Sequence, residues 1–344
     1  MEVVQFKFKW VDAQGKEPGL FSKKGMLSGD SLTLDGQELP ANTLVGNEQW
    51  GNRFALIEPG QDGEAEHRTI AVTEGADNLR PALNRAHSKQ EAHRRREQLQ
   101  KQGRGGAYHE AECPHCHATL DLTDFPRTPQ VYCWFCNTIT TIDSPDGVPR
   151  AESAYRLCEE CGMYSKPRRF TIFYFYFLLV IYGFSSRETW RCPACMRPEA
   201  WKMLFGNLLF VLGVPVALVQ LFRSYGGTDI GSLYGGLDAA NLKARKGNLE
   251  GAIQQYRKIL ENHEAAVGVK YNIGMAFLHK NDRENAARTL EYALEDCSNF
   301  RPAAVVLANC YEATGETAQL EALKQLWSEE EQAAHEAESQ AEAG

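Results

Sequence analysis

Eight of the ten cysteines in the 344-residue chain fall into four Cys-x-x-Cys pairs: Cys113/Cys116, Cys133/Cys136, Cys158/Cys161 and Cys192/Cys195. A two-residue gap turns both sulfurs to one side of a tight loop. Two such loops complete a tetrahedron around one ion, at about 2.3 Å per Zn–S bond. Sixteen residues separate Cys116 from Cys133, and thirty separate Cys161 from Cys192. The first gap holds Leu120, Leu122, Val131 and Tyr132, too little apolar surface for a core. Metal binding must then supply folding free energy. The expectation is two structural zinc ions, one on Cys113, Cys116, Cys133 and Cys136, the other on Cys158, Cys161, Cys192 and Cys195. His115 and His117 flank the first loop, but four Cys already fill its shell. Cys297 and Cys310 stand alone in apolar helical patterns and read as small core residues.

The first residues, Met1-Glu-Val-Val-Gln-Phe6, lack the basic-then-apolar layout of a secretory signal. Paired Cys in a reducing compartment read as metal ligands rather than disulfides. Cys113-Pro-His-Cys116 is also similar to the dithiol of thioredoxin-like oxidoreductases. That chemistry needs the first Cys at a helix N-terminus with a lowered pKa. No βαβ pattern surrounds the pair, and a second pair follows at the spacing of a zinc ribbon.

The elements that must position these pairs read as a multidomain α+β chain. Residues 1–102 read as an antiparallel β domain closed by a helix. Val4, Phe6, Phe8 and Trp10 alternate with polar residues. Leu20-Phe21, Leu32-Thr-Leu34, Phe54–Ile57 and Thr69–Val72 read as further strands, and Ala76–Lys101 as a helix with Leu79, Leu83 and Ala86 on one face. Gly19-Leu-Phe-Ser-Lys-Lys-Gly-Met-Leu27 followed by Ser31-Leu-Thr-Leu-Asp-Gly36 resembles bacterial pleckstrin-homology-like domains. That resemblance implies lipid or peptide binding, with Arg94, Arg95 and Arg96 as a candidate lipid contact. The first ribbon then occupies 108–143 and the second 154–200. Residues 143–153, rich in Pro, Gly and Asp, read as a linker between them.

Between the second set's pairs runs Phe170–Phe184, about 15 apolar residues, short of the ~20 that span hydrocarbon. A spanning segment would also put the two pairs on opposite faces of a membrane. Residues 168–191 therefore read as an apolar β-hairpin, with a short spanning or re-entrant helix as the alternative. Met203–Phe222 is a stretch of uncharged residues long enough to cross a bilayer, with Gly213 and Pro215 inside it, and reads as a membrane helix or, bent at Pro215, as a re-entrant segment. Arg191, Arg197 and Lys202 precede it and Arg223 follows. The positive-inside rule then keeps the zinc modules cytosolic, at the inner face of the cytoplasmic membrane. Residues 158–222 resemble a family of uncharacterised bacterial membrane proteins, a likeness that implies no reaction.

After a Gly-rich connector, 233–328 has a period of 34. Gly247, Asn281 and Gly315 mark turns; Ala240, Gly274 and Ala308 recur in step, as do Ala252, Ala286 and Leu320. This resembles the tetratricopeptide repeat, which implies a concave surface for a protein or peptide partner. Residues 329–344 form an acidic tail.

No Walker-type loop, Gly-x-Ser-x-Gly or His-Glu-x-x-His occurs, and the nine His are scattered. A net charge of −8 and few cations in the first ribbon argue against a nucleic-acid partner. No small-molecule substrate is expected. The expectation is a non-enzymatic, membrane-associated adaptor with structural zinc. The alternatives are a thiol-disulfide oxidoreductase and a nucleic-acid-binding ribbon.

Overall fold

Val4, Phe6 and Phe8 alternate with exposed partners along β1 (Val3–Val11), and their side of the strand is buried. In the computed structural model the described residues are 3–19, 21–46, 52–59, 65–142, 147–178, 181–207, 213–225 and 232–327. The chain is α+β and divides into two units, one of 1–125, 133–136 and 325–344, the other of 126–132 and 137–324.

In the first unit, β1 joins β2 (Lys23–Ser28), β3 (Ser31–Leu34), β4 (Gln37–Pro40), β5 (Leu44–Gly46), β6 (Arg53–Pro59) and β7 (Ala65–Glu74). They form one antiparallel sheet in the order β4-β3-β2-β1-β7-β6-β5. Opposite Phe6 in the register lies Gly25, where a Cβ would come within 2.4 Å of the Phe6 ring. Only glycine fits there. The strand expected at Leu20-Phe21 does not form at Phe21, which stands exposed before β2; Leu20 is outside the described residues. The left-handed φ of Gly19 breaks the extended run there.

Helix α1 (Ala76–Lys101) covers the sheet with Leu79, Leu83 and Ala86. Its second half holds a small hairpin, β8 (Glu110–Glu112) and β9 (Thr119–Asp121). Thr119 N–H donates to Ser88 Oγ at 3.0 Å. Arg95 pairs with Asp124 at 2.9 Å and Arg96 with Glu110 at 3.0 Å. Two of the three arginines offered to lipid are therefore engaged within their own unit.

The second unit begins with β10 (Gln130–Cys133), β11 (Thr138–Thr141) and β12 (Arg150–Ala151), then β13 (Arg156–Leu157) and β14 (Tyr164–Ser165). Strands β15 (Arg168–Leu178) and β16 (Ile181–Arg191) pair antiparallel from Arg168↔Arg191 to Leu178↔Ile181. Helices α2 (Pro193–Asn207) and α3 (Val214–Tyr225) pack on the base of this hairpin, around Phe170.

Of the two readings of 203–222, the continuous membrane helix is not formed: α2 ends at Asn207 and α3 begins at Val214. Residues 208–212 lie outside the described residues. Arg197 Nε donates to the Ser224 carbonyl at 3.3 Å, so the two helices run antiparallel. The cause is local. Buried Asn207 donates through Nδ2 to the Met203 carbonyl at 2.7 Å and the Phe173 carbonyl at 3.0 Å. A Cβ at position 213 would lie 2.2 Å from Asn207 Oδ1, so Gly213 allows the close return. Pro215 sits in the first turn of α3, where its missing N–H breaks no bond. Among the described residues, no helix is long and apolar enough to cross a membrane.

Paired helices follow: α4 (Leu237–Arg245) with α5 (Leu249–Leu260), α6 (Val267–His279) with α7 (Arg283–Asp296), and α8 (Arg301–Thr314) before a helix over 317–327. Gly247, Asn281 and Gly315 end the first helix of each pair in left-handed conformations, with φ of 80°, 58° and 78°. A Cβ on Gly274 would lie 2.8 Å from Leu290, so that small residue lets α6 and α7 approach. The acidic tail 329–344 lies outside the described residues.

Candidate metal centres

The eight paired cysteines converge into two groups, Cys113/Cys116/Cys133/Cys136 and Cys158/Cys161/Cys192/Cys195, whose sulfurs within each group all lie within 4.8 Å of one another. Sulfur separations are 3.7 Å for Cys113–Cys136, 3.6 Å for Cys116–Cys133 and 3.9 Å for Cys161–Cys192. None of these cysteines is in a disulfide. Both groups can hold a metal ion.

Two of the loops are built alike. Cys113 N–H donates to the Ala118 carbonyl at 3.0 Å, and His117 N–H to the Cys113 carbonyl at 2.8 Å. Cys158 N–H donates to Met163 at 3.0 Å, and Gly162 N–H to Cys158 at 2.8 Å. The residue after the second Cys turns left-handed in three loops: His117, Asn137 and Gly162, with φ of 60°, 56° and 68°. The fourth loop differs. Cys192-Pro-Ala-Cys195 opens α2, and both Cys195 and Met196 N–H donate to the Cys192 carbonyl at 3.0 Å. Cys192 N–H also donates to Cys158 Sγ at 3.3 Å. The helix N-terminus brings partial positive charge to the sulfurs.

Four thiols at this separation cannot ionise independently. Hydrogen bonds from their three neighbours hold the Cys113 and Cys158 thiols far below the usual range. The same contacts, with burial, push Cys133 and Cys192 far above it. A cation at the centre removes the conflict, because it stabilises four thiolates together. Arg245, on α4, donates through Nη1 to Cys195 Sγ at 2.9 Å. Burial disfavours its charge, but the second group's thiolates outweigh burial and raise its pKa.

The second unit also holds strands by their backbones. Tyr164 N–H donates to Asn272 Oδ1 at 2.8 Å, and its carbonyl accepts from Asn272 Nδ2 at 2.7 Å and Asn241 Nδ2 at 2.9 Å. Asn299 does the same for Tyr132, at 2.9 Å from the N–H and 2.8 Å to the carbonyl. Tyr164 lies so close to α6 that a Cβ on Gly268 would come within 2.0 Å of its ring. Glu152 is buried beneath, accepting from the Tyr164 hydroxyl, from Tyr234 at 2.5 Å and from Gln130 at 3.3 Å. Burial raises its pKa against the pull of those three donors.

The two histidines beside the first loop are not in its four-cysteine group: His117 Nδ1 meets Glu112 at 3.0 Å. Cys297 is buried and belongs to neither group, and burial pushes its thiol well up. Sequence reasoning missed Arg245, the three asparagines and Glu152. A polar side chain on a helix reads as solvated, and Glu152 lies in the segment taken as a linker. Gly162 and Asn137 did carry a signal, since both favour the left-handed turn that follows a Cys-x-x-Cys loop.

No known protein family matches the chain, and a search of curated proteins gives no match either.

Proposed function

We propose that the protein is a non-catalytic scaffold, stapled by two structural zinc ions, that works at a membrane surface and holds protein partners. The observation that carries this reading is the pair of four-cysteine groups. Tetrahedral Zn–S bonds of about 2.3 Å put sulfurs about 3.8 Å apart. The recorded separations are 3.6–3.9 Å. Four thiolates close the shell, so no position is left for a substrate. A soft thiolate set favours zinc over magnesium or calcium.

The 34-residue spacing of left-handed turns supports tetratricopeptide-like repeats, and the sheet closed by α1 supports a pleckstrin-homology-like domain. The repeats already hold their own chain at Tyr132 and Tyr164. A protein partner therefore docks on faces left open, such as α7 and α8, where Tyr292 and Val305 stand exposed.

The test is the metal count by native mass spectrometry. Two zinc ions per chain are expected, falling to one in Cys113→Ser and one in Cys158→Ser. A reduced protein that carries no metal overturns the reading. One observation favours a second reading, dithiol redox chemistry: Cys192 sits at the N-terminus of α2. Disulfide turnover lost on Cys192→Ser would support it.

A further inference from the structure

Helices α2 and α3 are apolar on two sides. The inner side, with Met196, Ala200, Met203 and Ala217, is buried around Phe170. Outside stand Trp201, Phe205, Leu218, Val219, Phe222 and Tyr225, with Phe205 65% and Phe222 77% exposed. Trp201 and Phe205 stack one turn apart with centroids 5.8 Å apart. Leu218 and Phe222 repeat that spacing on α3, which keeps them on one face. Six of the fourteen large apolar side chains exposed among the described residues thus lie between 201 and 225. Scattered exposed apolar residues need no explanation, but six on one helical hairpin do.

Charge says what covers them. From Lys166 to Arg223 the chain has eight Lys and Arg against two Glu, within a protein of net charge −8. Lys166, Arg169, Lys202 and Arg223 are exposed. Aromatic side chains rimmed by cations match a bilayer interface, where rings sit at headgroup level and cations meet phosphate. Neither of these two helices is long enough to span. At 1.5 Å per residue, the 15 residues of α2 and the 12 of α3 extend about 22 and 18 Å. The hydrocarbon core is about 30 Å thick.

We propose that the α2–α3 hairpin lies in the plane of an anionic membrane surface. Trp201, Phe205 and Phe222 sink to the boundary between headgroups and acyl chains, while Lys202 and Arg223 contact phosphates. This rests on the membrane association proposed above and replaces a crossing with an in-plane contact. The chain before 166 and after 225 then stays on one side, so the cysteine groups and the helical pairs share a compartment.

The test uses the full-length, metal-loaded protein in flotation with vesicles of phosphatidylcholine alone or mixed with phosphatidylserine. Binding to the mixed vesicles is expected to be roughly ten-fold or more tighter. The double variant F205E/F222E loses both affinities with its zinc content unchanged. K202E/R223E loses only the anionic preference. No vesicle binding by the wild type, or unchanged binding by F205E/F222E, overturns the proposal. So does a vesicle-independent dimer that F205E/F222E separates, which would make a second copy the occupant. Protease reaching the N-terminal sheet and the repeats only from opposite sides of a sealed membrane overturns it as well. If vesicle binding fails while two zinc ions remain, the scaffold reading stands and the membrane face falls.

Discussion

Cys133–Cys136 and Cys192–Cys195 share one spacing, yet the first turns back through Asn137 while the second runs on into α2. What lies between the sulfurs differs. Trp134-Phe135 fills the first loop and Pro193-Ala194 the second, but Pro alone does not decide the outcome: Pro114 follows Cys113 in a loop that turns back through His117, whereas Met196 continues α2. The second group thereby gains a helix N-terminus and the Arg245 guanidinium as sources of positive charge. It is also tied to the helical pairs, through Arg245 on α4 and through Tyr164 held by Asn241 and Asn272. The same motif can close a local loop or anchor a distant domain, and its continuation decides which.

The sharpest way to break this contrast is to remove one ligand from each group. Structural zinc carries about 10–16 kcal/mol of apparent binding free energy. Cys158→Ser is expected to lose one ion and lower the melting of helical circular dichroism. Cys113→Ser should lose one ion with that transition largely kept. Equal effects on the helices would show the two groups to be alike.

Smaller effects test the tie. Asn272→Ala leaves the buried Tyr164 N–H without its partner and weakens the hold on its carbonyl, at about 2–4 kcal/mol in a urea titration. Asn299→Ala should cost a similar amount through Tyr132. Arg245→Met removes positive charge beside Cys195. Its second group should lose metal affinity by roughly ten-fold or more in a chelator competition, with the first unchanged.

The smallest effect is a pH slope. Glu152 has a raised folded pKa, so the native state binds its proton more tightly than the unfolded chain does. Its contribution is full below the unfolded value, about 4.3. It is lost as pH rises towards the folded value. Glu152→Gln should flatten the fall in urea stability over that window.

Local patterns were legible. The cysteine spacing marks both groups, the Val4/Phe6/Phe8 alternation marks β1, and the 34-residue steps mark three left-handed turns. Long-range contacts were not, because Asn241, Asn272 and Asn299 find backbone partners 77, 108 and 167 residues away. Gly213 and Pro215 mark a bend within 203–222, but hydropathy contains nothing about Asn207 meeting Gly213, so a continuous helix stays open beside it. Arg95 and Arg96 read as free cations because their acids, Asp124 and Glu110, lie 29 and 14 residues further along the chain. Glu152 was hidden by the Pro and Gly around it.

The asparagine clamps also set an order of events on the ribosome. Tyr164 is made 108 residues before Asn272, and Tyr132 is made 167 residues before Asn299. At about 5–20 residues per second, these strands wait on the order of 5–30 s for their partners to emerge. All four thiols of the second group are made before that interval ends, so on the reading proposed above this group is able to take its ion before α6 emerges.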